Sequence, residues 1–344
     1  FYFIILGFSI NNTTYTKNIY TSTWKDCFFM SDYNKPIIVI SKCLGFDNCK
    51  HDGSIENNEF IEKLKKYVKV IPICPEIECG LQIHHSKLRI VENNNKEELL
   101  IPNEDLNLTQ EMHDFSNKFL NKLTNVDGFI LKSKSPICAL KDAKVYDTLE
   151  KGCAIKREHG FFTKEIIKQY PYIPIEDEHR LNNFKIREHF LSRIFILSDF
   201  RLIKKSFNFE SLKSFHLKNT LLFLSYSQKY SKLLDNLIYS DKIEDINILF
   251  KEYEFYLNRL LEKAPRYTSN INVLMKSLEQ FGDKISTEEL QFLWTTIDKY
   301  KNGYIPFTVP LYLVKSYVVR FELYNLLDQS FFMPYPEDLI ILND

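Results

Sequence analysis

Lys35–Cys43 reads KPIIVISKC, a short apolar run that ends in a cysteine. The same arrangement recurs at Val68–Cys74, which reads VKVIPIC, and at Gly128–Cys138, which reads GFILKSKSPIC. Helix-like segments lie between these runs, and an order of strand, helix and strand predicts an open, mostly parallel sheet. Because ligands gather at the carboxyl ends of parallel strands, we expect the three cysteines to converge at one edge of that sheet.

Three thiols at one sheet edge favour a metal site, although any single cysteine also fits the role of a small buried apolar residue. Three thiolates leave one coordination position empty, which a catalytic metal site requires. Zinc is an alternative metal, because His51, His84 and His85 are nearby in sequence. The spacing from Cys43 to Cys49 is longer than the short spacing usual in zinc sites, and His84 and His85 are more typical of a surface loop.

The composition sets bounds on the class of protein. The chain has 344 residues, of which 44% are hydrophobic and 26% charged, so it has the length for two domains and is not a disordered protein. Lys and Arg together number 45, as do Asp and Glu, so the chain as a whole is not a polyanion binder. Its seven cysteines are odd in number and unevenly spaced, which favours reduced thiols and a cytoplasmic location.

The first 29 residues differ from the rest of the chain. Phe1–Phe8 is apolar but too short to span a bilayer, and a polar stretch without periodicity follows it. Met30 then precedes the first strand, so residues 1–29 are predicted to be a weakly ordered extension or the result of start-site choice.

Two domains are predicted after that extension. Residues 30–180 form an α/β domain, Tyr170–Asn183 marks a boundary through its prolines and acidic cluster, and residues 185–344 form an all-α domain. Helical spacing predicts three helices in the first domain, at Asn57–Tyr67, Leu108–Leu123 with Thr109 as N-cap, and Phe161–Tyr170. In the second domain it predicts Ile186–Ser198, Ser211–Leu234, Asp241–Lys263, Ile271–Phe281, Thr287–Lys301 and Leu311–Leu327.

Longer motifs surround the three cysteines. SKCLGFDNCKHDG at Ser41–Gly53, PICPE at Pro72–Glu76 and ILKSKSPIC at Ile130–Cys138 resemble the TudS-like thiouracil desulfidase family. The resemblance continues through KVYD, GFFTKEIIKQYP and IEDEHRLNN, and it spans about Ile37 to Asn182. It implies non-redox removal of sulfur from a thiolated pyrimidine by an [4Fe-4S] enzyme.

The resemblance also implies roles for single residues. Cys43, Cys74 and Cys138 fall on the cluster ligands, which leaves one iron without a protein ligand, while Cys49 stays outside the ligand set. Glu76 is implied to take a proton from the attacking water, and Ser135 to orient the ring or the water.

Some positions depart from the family pattern. KHDG stands at Lys50–Gly53 where RYDG is usual, Ile137 and Ala139 flank the third cysteine, and His84 and His85 replace proline and arginine. The loops on the substrate side therefore depart further from the family pattern than the cluster ligands do. These departures concern the identity of the substrate more than the binding of the cluster.

The second half resembles the YbgA-like domain of unknown function. Matching segments are Phe215–Ser231, Tyr304–Tyr317 and Pro334–Leu339. Fused to a TudS-like domain, this layout is similar to RudS-type desulfidases of 4-thiouridine in transfer RNA, which implies that the helical domain holds RNA.

Local charge agrees with an RNA surface. Between Lys185 and Asp235 there are ten basic and four acidic residues, an excess of six. The predicted RNA contacts are Arg201, Lys204, Lys205, Lys213 and Lys218. Two alternatives remain open, a desulfidase of free thiouracil and a non-catalytic, metal-stabilised RNA-binding module. No membrane partner is expected, and the sequence leaves the oligomeric state open.

Overall fold

The computed structural model describes residues 33–50, 52–81, 87–102, 106–150, 152–240 and 245–340. The predicted extension at residues 1–29, the proposed start at Met30 and the histidines His51, His84 and His85 lie outside these ranges. Of the helices that the structure describes, none has both the length and the apolar character needed to cross a membrane.

The N-terminal region alternates strands and helices, as predicted. In chain order its elements are β1 (Ile37–Ser41), α1 (Glu59–Leu64), β2 (Lys69–Ile73), α2 (Pro75–Glu78), β3 (Arg89–Asn93), β4 (Lys96–Ile101), β5 (Leu106–Asn107), α3 (Thr109–Lys122), β6 (Gly128–Leu131), β7 (Ala143–Tyr146), β8 (Lys156–Glu158), α4 (Phe161–Gln169) and β9 (Ile175–Asp177).

The first sheet is entirely parallel and has the strand order β2-β1-β6-β9. Its strand β1 pairs on both sides, so that Val39 lies opposite Ile71 and Phe129. Val39 is completely buried, as a central strand covered on both faces requires. The open parallel sheet of the prediction is therefore confirmed, and β9 adds a strand inside the segment that was interpreted as a boundary.

A second sheet, absent from the prediction, has the order β5-β4-β3-β7-β8 and is mostly antiparallel. Strands β3 and β4 are joined by Asn94 and Asn95, both with positive φ, which is the two-residue hairpin that asparagine favours. Strand β3 also pairs in parallel with β7.

The start of α3 differs from the prediction. Leu108 is the N-cap residue, and the Thr109 hydroxyl oxygen instead accepts a hydrogen bond from Leu99 N at 2.8 Å. Thr109 N donates to Asn107 Oδ1 at 3.0 Å. The assignment of Thr109 as N-cap is wrong, because its hydroxyl ties the helix to β4.

The C-terminal region is helical, as predicted. It contains α5 (Phe184–Ser206), α6 (Phe209–Tyr226), α7 (Gln228–Ile238), α8 (Ile246–Leu260), α9 (Tyr267–Leu278), α10 (Thr287–Lys301), α11 (Thr308–Arg320) and α12 (Tyr324–Leu327). Two long predicted helices are each divided, one at Ser227, which caps α7, and one near Glu322, which has a φ of 54°.

Helix α5 packs on the first sheet. A Cβ atom added to Gly128 would lie 2.8 Å from Ile194 Cγ2, so the helix approaches β6 closely enough to need a glycine there. Next to this contact, Arg201 forms a bidentate ion pair with the buried Asp127. The first helix of the C-terminal region therefore covers part of the α/β sheet.

Candidate functional site

The Cys43 loop begins where β1 ends. Leu44 N donates to Ser41 O at 2.9 Å, and Gly45 has a φ of +83°, so the chain turns sharply just after the strand. Cys43 is buried within this turn. Its carbonyl oxygen accepts a hydrogen bond from Glu56 N at 2.9 Å, which holds the loop against the following segment.

Cys74 occupies the equivalent position on the neighbouring strand. It follows β2 directly and is the N-cap of α2, with Pro75 in the first helical position, where its missing N–H is not needed. Lys42 N donates to Ile73 O at 2.7 Å, which joins the ends of β1 and β2. The short helix then places Glu76 in its first turn, on the same edge as the thiols.

The Cys138 loop is held by the first turn of α4. Phe161 N donates to Pro136 O at 3.1 Å and Phe162 N donates to Ile137 O at 3.0 Å, so the free N–H groups of the helix bind the loop carbonyls. Thr163 Oγ1 donates to Cys138 O at 2.8 Å. These bonds give the GFFT sequence a structural role, which is to fix the third thiol.

The three predicted ligands come together with a fourth thiol. Cys49 is only 3% exposed, and a hydrogen bond with Cys43, followed by burial, raises its pKa to about 12 although a bond with Cys74 lowers it. The pKa of Cys74 is raised by its hydrogen bond with Cys49 and by burial. Cys49 therefore lies between two predicted ligands, a placement that sequence reasoning missed.

Cys138 is linked to the same group by its surroundings. Its pKa is raised by burial and then by the negative charge of Glu76 and by Cys74, while hydrogen bonds from Ser41 and Ser135 oppose this rise. Cys49, Cys74 and Cys138 are thus protonated at neutral pH. Metal binding has to displace those protons, because the thiolate is the ligand.

Ser135 anchors the third loop. Its Oγ accepts hydrogen bonds from Ile137 N at 3.2 Å and from Cys138 N at 3.1 Å, and its hydroxyl also interacts with the Cys138 thiol. These bonds place Ser135 next to the predicted ligand and give it a direct part in positioning that ligand.

A buried charged network, which sequence reasoning also missed, connects the strand ends. Glu178 accepts from Ser133 N at 2.9 Å and from Ser133 Oγ at 2.6 Å, and it pairs with Lys132 Nζ. Lys132 Nζ also lies 3.1 Å from Glu56, and Lys132 N donates to Ser41 Oγ at 3.0 Å. Lys132, directly after the apolar run Gly128–Leu131, was the available signal, because a lysine is rarely buried unless it is paired.

This network sets the charge state of its members. Burial opposes ionisation of Glu56, but its ion pairs with Lys50 and Lys132 lower its pKa. Burial likewise opposes the charge on Lys132, and its pairing with Glu178 and Glu56 raises its pKa. The charges therefore hold the ends of β1, β6 and β9 together without taking part in the thiol group.

One close group of potential metal-binding donors lies outside the thiol group. Within the described ranges, the group of three His, Cys, Asp or Glu donors that come within 4.8 Å of one another is Glu56, Glu178 and His179. Lys132 and Lys50 already pair with its two carboxylates. Among the described residues, Cys43, Cys74 and Cys138 do not form such a group, so at least one distance between their sulfur atoms exceeds 4.8 Å.

The predicted RNA contacts have different surroundings. Arg201 is paired with Asp127, and Lys204 Nζ lies 2.6 Å from Glu254 Oε2. Lys205 and Lys218 are exposed and Lys213 is half-buried. Arg201 is therefore engaged in an ion pair within the protein. The RNA-binding role of the five predicted contacts stays a prediction.

Both regions are similar to known protein families. Residues 38–178 match the family model described as 2-thiouracil desulfurase, and residues 220–336 match a protein family of unknown function, DUF1722. The uncharacterized protein YbgA of Escherichia coli (strain K12) is 28% identical over 148 residues, which is 42% of this chain and 88% of YbgA. The solved structure of the [4Fe-4S]-dependent thiouracil desulfidase TudS covers 43% of this chain and 94% of its own, at 19% identity and a TM-score of 0.36, too low to compare the sites.

The two family matches confirm the combination that the motifs indicated. The match to the 2-thiouracil desulfurase model lies in the α/β region, and the match to the DUF1722 model lies in the helical region. The first match supports a desulfidase function for residues 38–178.

Proposed function

We propose that the N-terminal region replaces the sulfur of a thiolated uracil with oxygen, at an [4Fe-4S] cluster held by Cys43, Cys74 and Cys138. The observation that carries the proposal is the delivery of three buried thiols by the neighbouring strands β2, β1 and β6 of one parallel sheet. This edge lies within the residues that match the desulfurase family.

The donor set fits the cluster. Three soft thiolates suit iron–sulfur ligation, and three ligands for four irons leave one iron open. When bound, the cluster supplies a Lewis-acidic iron that can hold a thione sulfur. Cys49 is the thiol that stays free in this assignment, although it lies beside Cys43 and Cys74.

Glu76 is the base in this proposal. It lies in the first turn of α2, and its charge raises the pKa of both Cys138 and Cys74, so the carboxylate lies near the second and third ligands. Its carboxylate would take a proton from the water that attacks the ring carbon. The C=S bond is replaced by C=O and the sulfur leaves as hydrogen sulfide, so one water is consumed and no net electron is transferred.

Ser135 acts with Glu76 in this assignment. Because its oxygen already accepts two backbone N–H groups of the Cys138 loop, its first task is to hold that ligand in place. The same hydroxyl lies beside the Cys138 thiol, where it can also orient the ring or the water.

The proposed substrate is 4-thiouridine in transfer RNA, and the fusion to the YbgA-like region is what favours it. Exposed Lys205 and Lys218 are available to phosphates, whereas Arg201 and Lys204 are engaged in ion pairs. This engagement favours a second candidate, the same chemistry on free thiouracil. A thiolated base inside folded RNA would also have to leave its stack to reach the thiol edge.

The test measures iron, acid-labile sulfide and zinc in anaerobically purified protein, together with Cys43→Ala, Cys74→Ala and Cys138→Ala. Cys153→Ala is the control, because Cys153 is exposed. The proposal expects about four irons and four sulfides per chain, lost in each of the three variants and kept in the control. Stoichiometric zinc contradicts it and leaves the metal-stabilised RNA-binding module. No metal after reconstitution contradicts it as well, and leaves a module without a metal site.

The substrate is then tested on protein that contains the cluster. Thiolated transfer RNA and free thiouracil are supplied separately, and released sulfide is measured. Faster turnover of transfer RNA supports the RNA substrate, and faster turnover of the free base supports salvage or detoxification. Glu76→Ala should keep the cluster and lose activity, and full activity in that variant would remove Glu76 from the mechanism.

A further inference from the structure

The helical region contains a cavity of about 530 Å³. All of its lining residues fall between Phe184 and Ile340, so it shares none with the thiol loops. This volume lies within the range of about 300–1,000 Å³ that is typical of small-molecule sites. Most of the lining belongs to the part of the chain that matches a family of unknown function.

One part of the cavity wall offers an amide with unused hydrogen-bonding capacity. Asn270, which is buried, donates from Nδ2 to Tyr300 OH at 3.2 Å. Among the described residues, this bond engages one N–H of the amide, which leaves its carbonyl oxygen and second N–H for another partner. The amide has a donor and an acceptor side by side on one planar group. The edge of a nucleobase offers an acceptor and a donor side by side, so the two can form a pair of hydrogen bonds.

A second part of the wall is polar but uncharged. The Tyr226 hydroxyl is hydrogen-bonded by Ser192 and lies 3.1 Å from His189 Nδ1. Burial lowers the pKa of His189 to about 4, so the imidazole is neutral at pH 7. Neutral donors and acceptors deep in a cavity favour a neutral polar ligand group over a charged one.

The carboxylates of the cavity are already engaged, which disfavours an organic cation as its occupant. Glu337 lies 3.0 Å from Lys315 Nζ and accepts from Tyr312 OH at 2.8 Å. Burial raises the pKa of Glu188 to about 7, although a hydrogen bond from Tyr335 opposes the rise. A bound amine would therefore meet one carboxylate that is already ion-paired and one that is only partly ionised at neutral pH.

The mouth of the cavity has the opposite character from its inner wall. Tyr304 is 79% exposed and Tyr267 is 51% exposed, although both line the cavity, so aromatic faces are open to solvent at its rim. Lys185 and Lys301 are exposed lining residues as well. Aromatic faces stack on bases and lysines bind phosphate, so the rim offers both contacts that a nucleotide needs.

We propose that this cavity binds a nucleotide, with its base against the Asn270 amide and its phosphate at Lys185 and Lys301. The proposal goes beyond desulfidation, because it concerns a base without sulfur at a site that has no thiol. The same chemistry has two sources, a free mononucleotide or one nucleotide of an RNA strand, and the experiment separates them.

The experiment uses the full chain, purified anaerobically, in isothermal titration calorimetry. The probes are AMP, GMP, CMP and UMP, their nucleosides, and a short single-stranded RNA of mixed sequence. Tyr304→Ala removes an exposed ring, and Tyr324→Ala is its matched control, because Tyr324 is 64% exposed and does not line the cavity. Lys301→Gln is paired with Lys299→Gln, an exposed residue of the same helix that lies outside the lining.

We expect at least one mononucleotide to bind with one site per chain. Tyr304→Ala should weaken binding at least about fivefold, as loss of a stacking contact does. Lys301→Gln should weaken the nucleotide more than its nucleoside, and both controls should stay within about twofold of the unmodified chain. Binding of the RNA alone, weakened by the same variants, assigns the site to a nucleotide within a strand.

Two results would overturn the proposal. One is that neither the mononucleotides nor the RNA bind. The other is that Tyr304→Ala and Lys301→Gln bind as their controls do. Because none of these probes contains sulfur, the outcome is independent of whether the thiol edge removes sulfur from thiouracil.

Discussion

The substitution Arg201→Ala tests whether Arg201 stabilises the fold through its ion pair with Asp127 or binds RNA, as predicted. Asp127 is 2% exposed, and Arg201 donates to it from Nε and Nη2, each at 2.9 Å. Among the described residues, the carboxylate also accepts a hydrogen bond from Ile37 N at 2.8 Å. The substitution therefore leaves a buried carboxylate with one backbone donor and no positive partner.

The cost follows from that burial. Removing one partner of a buried ion pair destabilises a protein by about 3–5 kcal/mol, and we take about 3 because the Arg201 side chain is 16% exposed. If the chain from Asn34 onward unfolds as one unit, with an unfolding entropy of about 2.1 cal/mol/K per residue, the melting temperature falls by about 5 °C. Lys205→Ala, one turn further along α5 and exposed, should leave it unchanged.

The assay is thermal unfolding followed by far-ultraviolet circular dichroism, with transfer RNA binding measured on the same samples. Asp127→Asn and the double variant complete a mutant cycle, whose coupling energy should be about 2–3 kcal/mol for a contact of this kind. A variant Arg201→Ala that melts within about 1 °C of the unmodified chain but loses RNA affinity would refute the reasoning and return Arg201 to the RNA surface.

Three further predictions test the thiol edge and the helical region. Gly160→Ala should destabilise the chain by about 2 kcal/mol and lower cluster content, because the new Cβ would lie 2.3 Å from Ile137 O. Cys49→Ser should keep about four irons per chain, since Cys49 is not a ligand in the proposed set. The free energy of unfolding should fall as the pH drops from about 6.5 to 4. Burial lowers the pKa of His189 to about 4, so over this range the imidazole takes up a proton in the unfolded chain and not in the folded one. In urea unfolding, His189→Gln should reduce this dependence of stability on pH.

Each of these has a matched control. Gly152→Ala should be neutral, because the nearest atom to its added Cβ is 4.0 Å away. Cys43→Ser should lose the cluster that Cys49→Ser keeps, and equal loss in both would mean that Cys49 is a ligand and that the fourth iron is not open. For His189, an unchanged pH slope in the glutamine variant would show that another group causes the loss.

The parallel sheet and its cysteines were predictable because both signals are local. The strand predicted at Lys35–Ile40 is Ile37–Ser41 in the structure, and the one predicted at Val68–Ile73 is Lys69–Ile73. Apolar runs of this length, separated by helical segments, leave few other arrangements. The convergence of their loops then followed from strand direction alone.

The elements that were missed depend on contacts between distant segments. Strand β9 has three residues and two acids, so it shows no apolar run, and it is a strand because it pairs with β6. The hairpin of β3 and β4 did leave a signal, the asparagines at Asn94 and Asn95 between two apolar stretches. The placement of Cys49 beside Cys43 left none, because it depends on how the loop folds back.

The third predicted ligand, Cys138, is held by elements that come later in the chain than Cys43 and Cys74. The first turn of α4 binds the Cys138 loop. Glu178, just after β9, binds Ser133 and Lys132, and Lys132 N donates to Ser41 at the end of β1. Helix α5 then covers Gly128 and neutralises Asp127, both at the start of β6. The helical region therefore supports the strand that leads to the third ligand, whether or not it touches a substrate. It follows that loss of activity on removing this region would not by itself show RNA binding, and that single exposed substitutions such as Lys205→Ala are the sharper test of it.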